Sequence, residues 1–365
     1  MKNFKSFEKE LIFDLSQTRD YEFQPACVKS GIVNKAIVYG YNGIGKSNLA
    51  LAIMDIVIHL TDKHKILGWY ENYLNANSAE KIAEFSYIFN FGGDLVEYNY
   101  GKLDCESIVY ENFLINNKKI ISYDRRKKKS LLISLAGTET LNKTTSEIKI
   151  SLLKYIKSNA ILSNKDKNVE LFNKFIEYVD NMLLFWTLDT KNYSGYEVGS
   201  FDILKHIVEN KKFEEFKKFL KDAELESNLK YEISTRGCSI YYDYPNRKVD
   251  FWSTCSSGTK SLMIFYFWLQ FAENGKKPSL LFIDEFDAFY HFRMSKLVVE
   301  KLKGISSQVI ITTHNTSIMS NDILRPDCYF FMYRDRIKSL ADLTDKELRL
   351  AHNLEKMYRA GVFNE

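Results

Sequence analysis

The chain is short of the residues that interrupt structure. It has 4 prolines and 16 glycines in 365 residues, too few for a long flexible linker. Its 5 cysteines, Cys27, Cys105, Cys238, Cys255 and Cys328, stand far apart with no Cys-x-x-Cys pair. That excludes a zinc site of paired cysteines and fits reduced thiols in a cytosol. The amino-terminal stretch is charged and lacks the apolar core of a secretory signal, so a cytoplasmic location is expected. The longest apolar run, residues 261–271, is about half a membrane span and reads as a buried helix. No glutamine occurs between Gln24 and Gln270. The net charge of +4 permits contact with nucleic acid without arguing for it. What the chain does have is apolar mass: 45% hydrophobic and 15% aromatic residues suit one large or two modest domains with a real core.

The most informative stretch is residues 40–47, Gly-Tyr-Asn-Gly-Ile-Gly-Lys-Ser, a complete Gly-x-x-x-x-Gly-Lys-Ser phosphate loop. The apolar run 35–39 before it reads as a buried strand. Residues 48–59 after it, with Leu49, Leu51, Ile53, Met54, Ile56 and Val57, read as a helix. In such a loop backbone N–H groups curl around phosphate oxygens, and the helix N-terminus adds its positive dipole end. Asn42, Gly43, Gly45, Lys46, Ser47 and Asn48 are the candidate nucleotide-binding residues. Lys46 would reach the β- and γ-phosphates, and Ser47 would ligate Mg²⁺.

Three further segments agree. Residues 279–285, Ser-Leu-Leu-Phe-Ile-Asp-Glu, form an apolar strand ending in two acids. Asp284 would hold Mg²⁺ through water, and Glu285 would orient or deprotonate an attacking water. Residues 308–314 form a second apolar strand ending in His314, which would stand beside the γ-phosphate. Residues 255–261, Cys-Ser-Ser-Gly-Thr-Lys-Ser, make a small-residue turn opening an apolar helix. That turn is either an anion site or a plain N-cap by Ser256 or Ser257.

Around these motifs, residues 85–125 alternate apolar and polar side chains as an antiparallel meander. Helical spacing appears at Ile148, Leu152, Leu153 and Ile156, at Leu171, Phe175, Val179 and Met182, and at Phe213, Phe216 and Leu220. Strands return over 228–252. An α/β pattern follows, with helices at 258–273 and 292–303 and strands at 279–283 and 308–312; a charged helix is expected over 343–359. The expected domains are a core of 1–140 and 228–335, a helical lobe of 141–227 and a tail of 336–365.

The order phosphate loop, Ser-x-Gly turn (Ser256, Gly258), Asp284-Glu285 strand and His314 resembles the ABC-class ATPases, the group of the Rad50, SMC, RecF and OLD proteins. The opening residues 3–7, Asn-Phe-Lys-Ser-Phe, look like the start of that class. The chain is most similar to the compact AAA-ATPase-like proteins of prokaryotic anti-phage systems. It shares with them the Ser-x-Gly-Thr-Lys turn, Asp-Glu-x-Asp-Ala followed by a histidine, Thr-Thr-His-Asn, and the Leu-Arg-Pro-Asp segment at 324–327. The resemblance implies an α/β fold: an ABC-type P-loop NTPase core with a mixed sheet, an antiparallel meander and a helical insertion lobe. It also implies ATP and Mg²⁺ as cofactors and an ATP-sandwich homodimer or higher oligomer. In that dimer Ser256 and Gly258 of one subunit would close the nucleotide on the other, and Asp287 would lie at the interface. His291 matches the family histidine and is given no catalytic role.

Two departures stand out. The glutamine that in the class couples Mg²⁺ to the insertion is missing, leaving Glu84 or Ser86 as candidates to replace it. The insertion is too short for a long coiled-coil arm. Only 51 residues follow His314, with no strand-borne acidic cluster, so no built-in nuclease is expected. The expected function is an ATPase acting as a dimerising switch, in anti-phage defence, that controls a separately encoded effector. The competing reading is a RecF- or Rad50-like repair ATPase on duplex DNA, resting on the basic run 125–129, which otherwise reads as a solvated loop. A transporter's nucleotide subunit is a third, more distant reading. The tail stripe Leu350, Leu354, Met357 would dock either a partner or the chain's own core.

Overall fold

Apolar runs too short for helices build the centre of the molecule. The computed structural model describes residues 1–63, 67–127, 131–142, 150–163, 165–186, 193–195, 203–225, 228–234, 237–274 and 277–363. A small hairpin, Val28–Lys29 (β1) with Ile32–Val33 (β2), leads into Lys35–Tyr39 (β3). All five residues of β3 are buried, as expected of a strand covered on both faces. The phosphate loop follows, then Lys46–Leu60 (α1).

The alternating segment forms a five-stranded antiparallel sheet: Ala83–Phe91 (β4), Asp94–Lys102 (β5), Ile108–Ile115 (β6), Lys118–Asp124 (β7) and Leu132–Ile133 (β8). Helices Leu152–Asn159 (α2) and Lys167–Asp180 (α3) come next, and α1 packs against both. Each helix is started by an N-cap: Ser151 accepts from the N–H groups of Leu153 and Lys154, and Asp166 from those of Asn168 and Val169.

Met182–Trp186 (β9) and Tyr193–Gly195 (β10) are strands of the central sheet. The region expected as a helical lobe is therefore interrupted by a core strand. The helical spacing of Leu171, Phe175 and Val179 holds within α3, but Met182 opens β9; Ile148 lies outside the described residues. The chain continues through Ile203–Glu209 (α4), Phe213–Asp222 (α5), and a three-stranded sheet of Leu229–Ser234 (β11), Gly237–Tyr244 (β12) and Arg247–Asp250 (β13). A short helix, Phe251–Thr254 (α6), precedes Ser257–Asn274 (α7). Phe265, Tyr266, Phe267 and Trp268 of α7 are all buried core.

The final third completes the sheet with Leu280–Asp284 (β14), Phe292–Gly304 (α8), Gln308–Thr313 (β15), Tyr329–Met332 (β16) and Ile337–Ser339 (β17). Its order is β10-β9-β14-β15-β3-β16-β17. The five central strands run parallel, and both outer pairs are antiparallel. The α/β class with a mixed sheet, a separate antiparallel meander and helices between them is thus the fold of this chain. The tail differs from expectation: it is helical only at Leu354–Arg359 (α9). Asn321 holds the preceding segment by donating its side-chain N–H groups to the carbonyls of Arg349, Leu350 and His352. Leu354 is fully buried and Tyr358 stacks on Phe331 at 5.1 Å, so this part of the tail packs on the chain's own core, while Leu350 of the stripe is exposed.

Glu111 of β6 joins the meander to the helices. It is fully buried and accepts from the Tyr98 hydroxyl (3.0 Å), the Ser151 hydroxyl (2.7 Å) and the Leu152 N–H (2.6 Å). Glu111→Ala strands three donors and is expected to destabilise the protein by about 3 kcal/mol. The urea midpoint should fall while the slope of the transition stays unchanged.

Candidate active site

Strand order brings the motifs together. In the register of the parallel strands, Thr313 at the end of β15 pairs with Tyr39 at the end of β3, and Ile311 of β15 pairs with both Ile37 of β3 and Ile283 of β14. Because β15 lies between β3 and β14, the residue leaving it, His314, stands between the phosphate loop and Glu285. All three lie at the carboxyl ends of parallel strands, where ligands of open α/β sheets bind.

The loop is pinned from outside. Gly45 is the N-cap of α1 with φ +113°, a conformation that favours glycine. A Cβ there would come within 2.7 Å of the Ser6 hydroxyl and 3.0 Å of the Phe7 ring. The same Ser6 hydroxyl accepts from the Asn48 side chain at 2.8 Å. The amino-terminal turn is therefore built against the loop and the first turn of α1. Gly43 and Asn42 are exposed on the loop's outer side, as is Tyr41.

Lys46 is 4% exposed. Its Nζ donates to the carbonyls of Gly40 (3.1 Å) and Tyr41 (3.4 Å), and it meets His314 Nε2 at 2.6 Å. An ammonium has no lone pair, so Nε2 is the acceptor in this contact. The same Nε2 approaches Glu285 Oε1 at 3.7 Å. Burial lowers the Lys46 pKa, opposed by the negative charges of Glu285 and Asp284.

The Ser47 hydroxyl donates to Asp284 Oδ2 at 2.6 Å, and the Thr312 hydroxyl donates to Asp284 Oδ1 at 2.6 Å. Thr312 also accepts from the Glu285 N–H at 2.7 Å. Asp284 is fully buried, and burial raises its pKa against the pull of these two hydroxyls. Glu285 sits at φ +46°, a backbone strain of the kind that accumulates at functional sites. Ser47 and Asp284 give two hard oxygen ligands side by side. That suits Mg²⁺, which takes one or two protein oxygens and completes its shell with phosphate and water. Among the described residues no three His, Cys, Asp or Glu side chains form a metal-holding group. A cleft of about 310 Å³ lined by Glu285, Asp287, Ala288, Tyr290, His314 and Asn315 opens beside these groups.

Ser256 and Gly258 are elsewhere. Ser256 caps α7: its hydroxyl accepts from the Thr259 N–H at 3.1 Å. Ser256 and Ser257 are exposed. Gly258 fits closely under the segment after Glu285, where a Cβ would meet the Phe289 carbonyl at 2.9 Å. The Ser261 and Tyr290 hydroxyls share a hydrogen bond of 3.0 Å. Asp287 accepts from the Thr313 hydroxyl at 2.6 Å, and burial raises its pKa. His291 is the exposed N-cap residue of α8 without a side-chain bond.

A family described as "AAA domain, putative AbiEii toxin, Type IV TA system" matches residues 35–320. The chain belongs to this family. No curated protein matches it. Among solved structures, this AAA chain is similar to an "SMC head domain from Thermotoga maritima", with 15% identity over 93% of this chain and 95% of that one and a TM-score of 0.43. It is also similar to an Smc head bound to the C-winged helix domain of ScpA, with 18% identity, 84% and 91% coverage and a TM-score of 0.42. A third is an Smc head domain with an extended coiled coil, bound to the C-terminal domain of ScpA derived from Pyrococcus furiosus. It has 15% identity, 84% and 90% coverage and a TM-score of 0.42.

Two residues of the site were not singled out from the sequence. Thr312 bridges Asp284 and Glu285; its signal was the hydroxyl two positions before His314. Trp186 is the register partner of Asp284 on the outer strand β9 and packs on Trp69 at 4.5 Å. Trp186, rather than Glu84 or Ser86, thus flanks Asp284. Glu84 is held on the meander, where Tyr110 donates to its carboxylate at 2.8 Å. Ser86 is an exposed residue of β4. Thr312→Val leaves both the Glu285 N–H and an Asp284 oxygen without that partner. It is expected to slow nucleotide hydrolysis about tenfold or more and to leave nucleotide affinity within about threefold, read by phosphate release and equilibrium titration.

Proposed function

We propose that this AAA chain is an ATP-hydrolysing switch that closes into a homodimer or higher oligomer and controls a separately encoded effector in anti-phage defence. The observation that carries the ATPase reading is the convergence, within one subunit, of Lys46, Ser47, Asp284, Glu285, Thr312 and His314 on the carboxyl ends of three parallel strands. The class of ABC-type ATPases fits that strand order. Bound ATP supplies the phosphoryl group, and Mg²⁺ held by Ser47 and Asp284 would offset its charge. Lys46 turns from the Gly40 and Tyr41 carbonyls toward the phosphates. Glu285 orients the attacking water, with its backbone held by Thr312. His314, in contact with Lys46, lies at the same mouth.

The dimer reading is supported by the exposure of Ser256 and Ser257 at the start of α7. The family's description as a putative toxin of a Type IV toxin–antitoxin system supports the defence reading. The basic run behind the DNA-repair alternative is partly engaged within the chain. Arg125 donates to the Ile108 and Ile150 carbonyls, and Arg126 makes a two-pronged bond to Asp124. Lys128 and Lys129 lie outside the described residues.

Lys46→Ala is expected to abolish ATP binding, and retained affinity in a titration would overturn the loop assignment. Glu285→Gln should hold ATP while hydrolysis falls about a hundredfold or more, and light scattering should show an ATP-dependent rise in mass. Ser256→Arg should bind ATP as a single subunit with no such rise. Affinity capture of the Glu285→Gln protein with ATP, followed by mass spectrometry, then tests for the effector. Recovery of duplex DNA instead of a protein would favour the repair alternative.

A further inference from the structure

The helix that carries Lys46 and Ser47 has no exposed side. Every residue of α1 is buried or half-buried. It packs against β9 and β14 of the central sheet and against α2 and α3, and it meets the meander through hydrogen bonds. Tyr87 of the meander donates to the Ala52 carbonyl at 2.5 Å, and Tyr70, in the turn before the meander, donates to the Leu51 carbonyl at 3.3 Å. A surface helix is fixed in rotation by its apolar stripe, but a helix that is apolar all round has no such stripe. Leu49, Ala50, Leu51, Met54, Ile56 and Val57 would fill an apolar slot at more than one angle.

Two buried polar residues of α1 face the meander and break that degeneracy: His59, bonded to Tyr98 at 3.0 Å, and the charged Asp55. Asp55 is fully buried in the middle of α1, and Lys102 of β5 is fully buried opposite it, with Nζ 2.8 Å from Asp55 Oδ2. Both carboxylate oxygens have further donors: Tyr73 donates to Oδ1 at 2.8 Å and Tyr100 to Oδ2 at 2.8 Å. Lys102 also donates to the Cys105 carbonyl at 2.9 Å. Such a pair is weak evidence for stability, because its mutual attraction roughly offsets the desolvation of two charges. What it does impose is register: α1 cannot turn or slide without burying an unpaired carboxylate.

The angle matters at the other end of the helix. Asp55 lies nine residues after Lys46, about two and a half turns, so it projects from the opposite side of α1. An error of about 10–20° is enough to spoil a catalytic constellation. We propose that the Asp55–Lys102 pair is a positioning device that sets the rotation of α1 against the meander and thereby aims Lys46 and Ser47 at phosphate and metal. This rests on the ATPase reading above.

The test separates stability from aim. In the variant Asp55→Leu with Lys102→Met, made in the Tyr73→Phe/Tyr100→Phe background, both charges and the two hydroxyls that donate to Asp55 leave together. The melting temperature is expected to stay at or above that of wild type, while kcat/KM for ATP falls about a hundredfold. The pair Tyr73→Phe with Tyr100→Phe keeps the ion pair and is expected to hydrolyse ATP within about threefold of wild type. Normal hydrolysis by the Leu/Met protein would overturn the proposal, since apolar packing and the His59 bond would then set the angle. Its failure to fold would also overturn it, by making the pair a stabilising element. An equal loss in the two-phenylalanine protein would place the effect in the tyrosine bonds instead. If wild type neither binds nor hydrolyses ATP, the ATPase reading itself has failed, which no variant result can mimic.

Discussion

The hydrogen bond from the Ser47 hydroxyl to Asp284, 2.6 Å long, ties the two halves of the site into one object. Ser47 belongs to the first turn of α1, and Asp284 ends a strand laid down some 237 residues later. Thr312 adds the third element by giving its proton to Asp284 and taking that of the Glu285 backbone. A chain of four groups therefore fixes the loop helix, the acidic strand and the histidine strand relative to one another. Remove the buried carboxylate and each of the others loses its bearing, because burial leaves no water to take over the bonds.

The site's second layer works by close approach. Gly45 lets the amino-terminal turn press on the loop, and Gly258 lets the start of α7 press on the segment after Glu285. The start of α7 thus touches Phe289 and Tyr290, which follow the acids in the chain. Thr313 bonded to Asp287 links the same segment to the residue before His314.

Much of this was legible because the features are local. The glycine loop, the apolar strands ending in acids or histidine, and the period-two meander each announce themselves within ten residues. What stayed hidden is non-local. Met182–Trp186 reads as the continuation of α3, because five apolar residues carry no period; only pairing with β14 makes them a strand. The ion pair of Asp55 and Lys102 joins residues 47 apart, and nothing nearby in the sequence predicts it. Glu84 was a candidate beside the metal on its position before the meander, but Tyr110 across the sheet claims its carboxylate. The tail's apolar stripe suggested a helix from 343, yet Asn321 bonds three carbonyls over 349–352, where the chain makes a turn instead.

The strand order also sets a sequence of events in time. The strand before the phosphate loop, residues 35–39, leaves the ribosome early, but both of its neighbours in the sheet lie beyond residue 307. Until most of the chain has been synthesised, that strand has no edge to pair with and the loop has no floor, so folding depends on contacts of long sequence separation. A nascent or prematurely ended polypeptide therefore carries the nucleotide motif without a working pocket. The pocket can form only when translation has passed the histidine strand, so the order of synthesis keeps the loop and its floor apart until late.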